Sequence, residues 1–182
     1  LLAMGNVPPR ERAAFAATAV PWLLDLFKHE HDVGVRSAAE WLLRTVCGAD
    51  EAWRQIVTEQ GVAQNIASVT DDQTWFVNSV GQTFAVIRGP IEFVMGSPPH
   101  EPTREPDEVP HRQRIARSFA IATKEVTVAE YLAFQNPGYD EALSTTPQHP
   151  INATSWYQAA AYCRWLSERE GITEEQMCFP PL

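Results

Sequence analysis

The groups able to do chemistry are few and scattered. Three cysteines, Cys47, Cys163 and Cys178, make an odd set with no short-range pairing. They form neither a disulfide framework nor a zinc cluster, and Cys47 and Cys163 are expected to be small buried thiols. His29 and His31 lie two apart in the turn His29-Glu30-His31-Asp32-Val33-Gly34. A metal would need further ligands there, and the sequence offers none. His111 and His149 read as loop-anchoring hydrogen-bonders. Asn152-Ala153-Thr154 has the form of a glycosylation acceptor but falls in a helix-entry turn, where a structural role is expected. Ala122-Thr123-Lys124 is similar to a kinase β3 lysine. No Gly-rich loop precedes it and no His-Arg-Asp or Asp-Phe-Gly follows, so a kinase is excluded. There is no Gly-x-Ser-x-Gly elbow, phosphate-binding loop or zinc helix. No residue is therefore assigned as catalytic, cofactor-binding or metal-binding.

Charge narrows the partners. The 182 residues carry a net charge of −9, and −5 of it falls in residues 61–110, at Asp71-Asp72 and from Glu101 to Glu108. An acidic chain does not hold nucleic acid by neutralising phosphates. The acidic segments read as solvated loops. With 45% hydrophobic residues the chain can bury a core. No apolar run approaches the roughly 18 residues of a membrane span. The absence of a visible signal segment, with few cysteines, favours a cytoplasmic location. The ends at Leu1 and Leu182 look cut from something longer.

The elements that must position these groups fall into two parts with different grammar. Residues 1–60 predict helices. Val20, Leu23, Leu24 and Phe27 recur at helical spacing, with Pro21 expected in a first turn. A second helix places Val35, Ala38, Ala39, Leu42 and Val46 on one face. Arg36, Glu40 and Arg44 line the other, as an exposed ion ladder. Gly48 stops that helix. Asp50 caps a third, with Trp53, Ile56 and Val57, that ends near Gly61. Asp32-x-x-Val35-Arg36-x-Ala38-Ala39-x-x-Leu42 resembles one HEAT-type repeat, and an ordinary helical hairpin fits the same residues. Residues 61–74 read as a linker.

From Trp75 the pattern becomes strands. Thr83 to Ile87 and Ile91 to Met95 are expected to form a hairpin about Arg88-Gly89-Pro90. Five prolines between residues 98 and 110 make a loop. Gln113 to Ile115 and Phe119 to Ala122 are further strands. Thr127-x-x-Glu130 is a capping box opening a helix with Val128, Tyr131, Leu132 and Phe134, closed by Asn136-Pro137-Gly138. Ser155 caps a long helix with Trp156, Ala159, Ala160, Cys163 and Leu166 on its inner face and Arg164 and Glu168 outside. Gly171 ends it, and Thr173-Glu174-Glu175-Gln176 starts a short turn.

Taken in series, these residues resemble a known family. Phe93-x-Met95-Gly96-Ser97 is followed by Glu108-x-Pro110-His111, Phe119-x-Ile121, Glu125-Val126-Thr127 and Tyr131-x-x-Phe134. Then come His149-Pro150-Ile151, Ser155-Trp156 and Ala159-x-Ala161-Tyr162-Cys163-x-Trp165-Leu166. The order and spacing over residues 75–182 resemble the N-terminal half of the formylglycine-generating enzyme family, the sulfatase-modifying factors. The resemblance implies an irregular α+β, C-type-lectin-like fold, here incomplete, behind an all-α HEAT-like segment at 1–60.

It also implies that the full-length protein oxidises a sulfatase cysteine, or its serine analogue, to Cα-formylglycine. The family's redox cysteine pair, its copper(I) and most of its calcium loops belong to the C-terminal half. Neither Cys163 nor Cys178 matches that pair, and the family's Arg-Leu-Pro-Thr-Glu-Ala-Glu-Trp-Glu-like run is missing. This chain alone is thus expected to be catalytically inert, holding no cofactor, with exposed apolar surface where the rest of its domain would pack. Expected partners are a sulfatase peptide or another protein. The stretch Ile172 to Leu182, with the helices before Trp75, resembles a bacterial subgroup found in multidomain chains, some with Ser/Thr kinases. A non-catalytic binding or scaffold module is the alternative. Sulfoxide-forming synthase relatives rank last, because no iron-histidine spacing occurs upstream.

Overall fold

The structure, a computed structural model, describes residues 6–59, 69, 73–136 and 138–181. The end of the third helix near Gly61, most of the 61–74 linker and Pro137 lie outside them. Within the described residues the chain divides into two compact units. One comprises the helices up to residue 85 together with residues 122–181, and the other comprises residues 86–121.

In the first unit, α1 (Arg12–His29) follows a 3-10 turn at Pro9–Glu11. The sequence places Pro21 in a first turn, but the helix begins earlier and Pro21 lies inside it. An interior proline costs about 3 kcal/mol. The stripe Ala19, Leu23 and Phe27 offsets it, since Leu23 and Phe27 are wholly buried and each such burial stabilises by roughly 1.5–3 kcal/mol.

Helix α2 (Val33–Trp41) starts at Asp32, whose Oδ1 accepts the Val35 N–H at 2.9 Å. It runs on as a π-helical turn, Leu42–Val46. Ala39, Leu42 and Val46 are buried, as their spacing predicts. The expectation for the opposite face is overturned. Arg36 is 3% exposed and Glu40 0%. Periodicity marks that face as polar; it cannot tell that a sheet covers it. Helix α3 (Asp50–Glu59) buries Trp53 and Ile56, with the Trp53 ring 6.3 Å from Phe27.

Strands β1 (Trp75–Val77) and β2 (Thr83–Ile87) are antiparallel, with Phe76 opposite and stacked on Phe84. The tight connection is organised by Asn78, whose Oδ1 accepts the N–H groups of Val80 and Gln82. Strand β3 is Ile91–Met95, β4 His111–Ile115 and β5 Phe119–Ala122. The sheet order is β1-β2-β5.

The expected capping box at Thr127 forms, and the Ser155 cap is a box as well. Thr127 and Glu130 close the start of α4 (Val128–Leu132), and Ser155 and Gln158 that of α5 (Trp156–Arg169). The loop between them is tied to α4 by the Val128 and Ala129 N–H groups, which donate to His149 and Pro147 carbonyls at 2.9 Å. Asn152 Nδ2 donates to Asp140 O and Ser144 Oγ, so that amide is spent inside the loop. The inner face of α5 also differs from expectation. Trp156, Ala159 and Cys163 are exposed, while Ala160 and Tyr162 are buried. Tyr162 stacks on Tyr131 at 5.2 Å, and Trp165 lies 5.5 Å from Phe134. This aromatic cluster turns the 162/165 stripe inward. Ser79 donates through N and Oγ to Glu170 Oε1, which anchors the end of α5.

In the second unit, β3 and β4 pair antiparallel from Ile91↔Ile115 to Met95↔His111. The expected β2–β3 hairpin is therefore corrected. Gly89 sits so close to the Arg117 backbone that an added Cβ would lie 2.3 Å from it. The 88–90 turn is packed against residues 117–118 and redirects the chain to a new partner. Gly96 has φ +111, and its Cβ would meet Val109 O at 2.7 Å. Gly96→Ala is expected to cost at least about 1–2 kcal/mol in that left-handed geometry. Hydrogen exchange should show the amides of 91–95 and 111–115 opening roughly tenfold faster, with α1–α3 unaffected.

Candidate functional site

The first unit carries a cleft of about 210 Å³, whose lining includes Glu40, Arg44, Gln82, Lys124, Glu130 and Gln148. Its residues come from elements far apart in sequence. Helix α2 supplies Glu40, its π-helical continuation Arg44, β2 and the turn before it Thr83 and Gln82, and the segment after β5 Lys124.

Glu40 is the organising group. Its Oε1 accepts from Lys124 Nζ at 2.5 Å and from Arg44 Nη1 at 2.9 Å, and its Oε2 accepts from Thr83 Oγ1 at 2.7 Å. A wholly buried carboxylate needs such donors, because its desolvation is otherwise uncompensated. Arg44 also donates from Nε to Asp50 Oδ1 at 3.0 Å and lies over the Trp53 ring at 4.4 Å. Burial alone would lower the Arg44 pKa, but the hydrogen bond and charge of Glu40, then those of Asp50, reverse this and raise it.

On the other wall, Glu130 Oε2 accepts the Thr127 N–H at 2.8 Å and Gln82 Nε2 at 3.4 Å. Glu130 thus serves its helix cap and the cleft at once. Behind it, burial and then the Glu130 charge push the Tyr162 phenol well up.

This arrangement is suited to holding rather than to reacting. A general base needs a free lone pair within reach of a substrate proton. Glu40 is wholly buried, with three protein donors on its two oxygens, and the Lys124 ammonium is paired with it. No cysteine is among the lining residues, so copper(I), which selects soft thiolates, has no ligand there. Calcium takes six to eight oxygens, and among the described residues no group of three or more His, Cys, Asp or Glu is placed to hold a metal. The copper and calcium that the family resemblance implies do not fit this cleft.

The other chemistry-bearing residues are dispersed. Cys47 is half-buried, while Cys163 and Cys178 are exposed, which corrects the expectation of a buried thiol at Cys163. His29 Nδ1 pairs with Asp25 Oδ1 at 3.1 Å, and His31 lies apart from it, exposed. His111 Nδ1 lies 2.9 Å from Val109 O, and His149 Nδ1 accepts the Thr145 N–H at 3.2 Å. Sequence reasoning missed the Glu40–Lys124 pair entirely. Its partners stand 84 positions apart, and each has a local explanation, as helix surface and as strand end.

The fold and cleft can now be set beside known proteins. The family model of the sulfatase-modifying factor enzyme 1-like domain matches residues 71–177, more than half of the chain. The chain belongs to that family. Among solved structures, PvdO from Pseudomonas aeruginosa is similar at 25% identity and a TM-score of 0.43, covering 54% of this chain and 44% of that one. The chain thus spans less than half of that protein. A search of curated proteins finds no match. The family match takes in the strands, Lys124, both capping boxes and α5, and α1–α3 precede it.

Removing the Glu40 carboxylate should show what the node contributes. Glu40→Ala is expected to destabilise by ~3 kcal/mol, the low end for a broken buried pair, because Lys124 and Arg44 still reach water. A double-mutant cycle of Glu40→Gln with Lys124→Met, read by urea unfolding, should give a coupling of about 1–3 kcal/mol.

Proposed function

We propose that this chain supplies the non-catalytic framework of a sulfatase-modifying-factor domain. The whole protein, on this reading, oxidises a sulfatase cysteine or its serine analogue to Cα-formylglycine, and the 182 residues alone perform no oxidation. The observation that carries the proposal is the makeup of the Glu40 cleft. Both cations of its lining, Arg44 and Lys124, are held on Glu40, and no thiol lines it. Formylglycine formation needs a thiolate to bind copper(I) and reach the substrate, so the reactive groups have to come from elsewhere in the protein.

The framework would act by positioning. Helix α2 holds the strand that bears Thr83 through Glu40. The Thr127 box holds α4 against the loop at 139–152. The family resemblance places a sulfatase peptide, presented in extended form, as the substrate of the complete domain.

A second reading has its own support. Trp156 and Tyr157 at the start of α5 are 61% and 71% exposed, and Leu143 is 71% exposed. Such apolar surface suits contact with another protein. On this reading the domain is a binding or scaffold module of a multidomain signalling protein, with a HEAT-like helical segment as its tether.

One assay separates the two. A peptide carrying the sulfatase cysteine is incubated with copper(I), oxygen and either this chain or the full-length protein, and any aldehyde is trapped with a hydrazide probe. Trapped aldehyde with the full-length protein and none with this chain is the expected result. Aldehyde from neither defeats the enzymatic reading and leaves the scaffold. Aldehyde from this chain alone defeats both.

A further inference from the structure

The residues after α5 fold back along it. Phe179 packs edge-on against Trp156, with ring centroids 5.7 Å apart. Arg164 Nη1 donates to Phe179 O at 2.7 Å. The same guanidinium grips Glu174 through two hydrogen bonds of 2.9 Å. One residue, Phe179, is therefore fixed at two points on α5, at Trp156 and at Arg164. Trp156 and Cys163 are seven positions apart, two helical turns on one stripe about 10 Å long. Cys163 precedes Arg164, and Cys178 precedes Phe179. Each cysteine is thus the chain neighbour of a residue in the Arg164–Phe179 hydrogen bond, and both are exposed. The packing around Cys163, and then the charge of Cys178 beside it, raise the Cys163 pKa. No other role found in the structure uses either thiol.

We propose that Cys163 and Cys178 are a redox pair, closing as a reversible intrachain disulfide that fastens the 174–179 segment to α5. The oxidant is a small-molecule disulfide such as oxidised glutathione. The Cys178 thiolate attacks one glutathione sulfur, breaking the glutathione S–S bond and releasing one glutathione thiolate. The Cys163 thiolate then attacks the Cys178 sulfur of the mixed disulfide and releases the second. Two protein thiols lose two electrons and two protons, and one glutathione disulfide becomes two glutathione thiols. Closure requires the two Cα atoms to come within about 7 Å, and the Arg164 and Trp156 contacts already hold the tail alongside. In a reducing compartment the pair stays open, and in an oxidising one it closes. The bond would seal Phe179 over Trp156 and so remove part of the exposed apolar surface. The inference does not depend on the proposed enzymatic activity, because neither thiol lines the Glu40 cleft.

The test uses the 182-residue chain, as wild type and as Cys47→Ser, equilibrated across a glutathione redox series and quenched by acid. Intact mass and non-reducing peptide mapping are read. The expected product is a monomer lighter by two hydrogens, with a peptide cross-linked through Cys163 and Cys178. Cys163→Ser and Cys178→Ser should each retain a stable glutathione adduct on the remaining partner, because no second thiol displaces it. Persistent glutathione on both cysteines of the unsubstituted pair would overturn the proposal. So would a disulfide-linked dimer, or pairing through Cys47, as the main product. Limited proteolysis supplies an independent reading: cleavage between 172 and 181 should slow at least tenfold on oxidation, and unchanged cleavage alongside the mapped bond would refute the fastening role.

Discussion

A carboxylate shut off from water has to find its counter-charges inside the protein, and Glu40 finds them in distant parts of the chain. Thr83 is 43 positions away and Lys124 is 84. That demand fixes how α2 lies. Arg36, Glu40 and Arg44 follow one line at four-residue spacing, and each position is seated. The Arg36 guanidinium lies 3.9 Å from the Trp75 ring and donates to the Phe27 and Glu30 carbonyls. Glu40 meets Lys124. Arg44 lies over Trp53 and bonds Asp50. A helix that buries both its apolar and its charged stripe has no freedom to rotate. The helical segment and the strand bearing Thr83 therefore form one body, although the family match covers only the second of them.

The rest of the first unit extends the same economy of groups. Glu130 is at once a helix-capping acceptor and a wall of the cleft. Asn78 shapes the turn that places Gln82 beside it. Tyr131, Phe134, Tyr162 and Trp165 form the wedge between α4 and α5, and that wedge decides which stripe of α5 faces inward. The consequence for function is a small cleft organised by a buried carboxylate, and an exposed stripe with Trp156, Cys163 and the returning tail. The first has the character of a framework. The second is the surface to which the proposed partner and redox chemistry are assigned.

Much of this was legible because it is local. Thr127 and Glu130 are three residues apart, so their reciprocal bonds follow from helix geometry alone, and Ser155 reads as a cap by the same geometry. The Ala39, Leu42 and Val46 stripe obeys the helical period. The ordered series from Phe93 to Leu166 was enough to bring the family into view. The features that were misjudged share a different physics. Glu40 looked solvated because periodicity reports polarity and not burial. Strand β2 looked paired with β3 because a Gly-Pro turn between two apolar runs suggests a hairpin. Yet the choice of ladder is made by the strands available on either side, and by the Gly89 approach to Arg117. The face of α5 was misread because the alanine stripe and the aromatic stripe are both apolar.

The sequence by itself determined most of the elements, the caps at Thr127 and Ser155, the absence of a membrane-length apolar run, the net acidity and the family. These rest on backbone geometry, on side-chain type and on order along the chain, all present before the chain folds. Only the tertiary structure decided which faces are buried, which strands pair, and that a helix surface glutamate and a strand-end lysine become one ion pair. The reason is that desolvation and pairing energies belong to neighbours in space. For Glu40 those neighbours are set by every element packed around it, and no window along the chain contains them all.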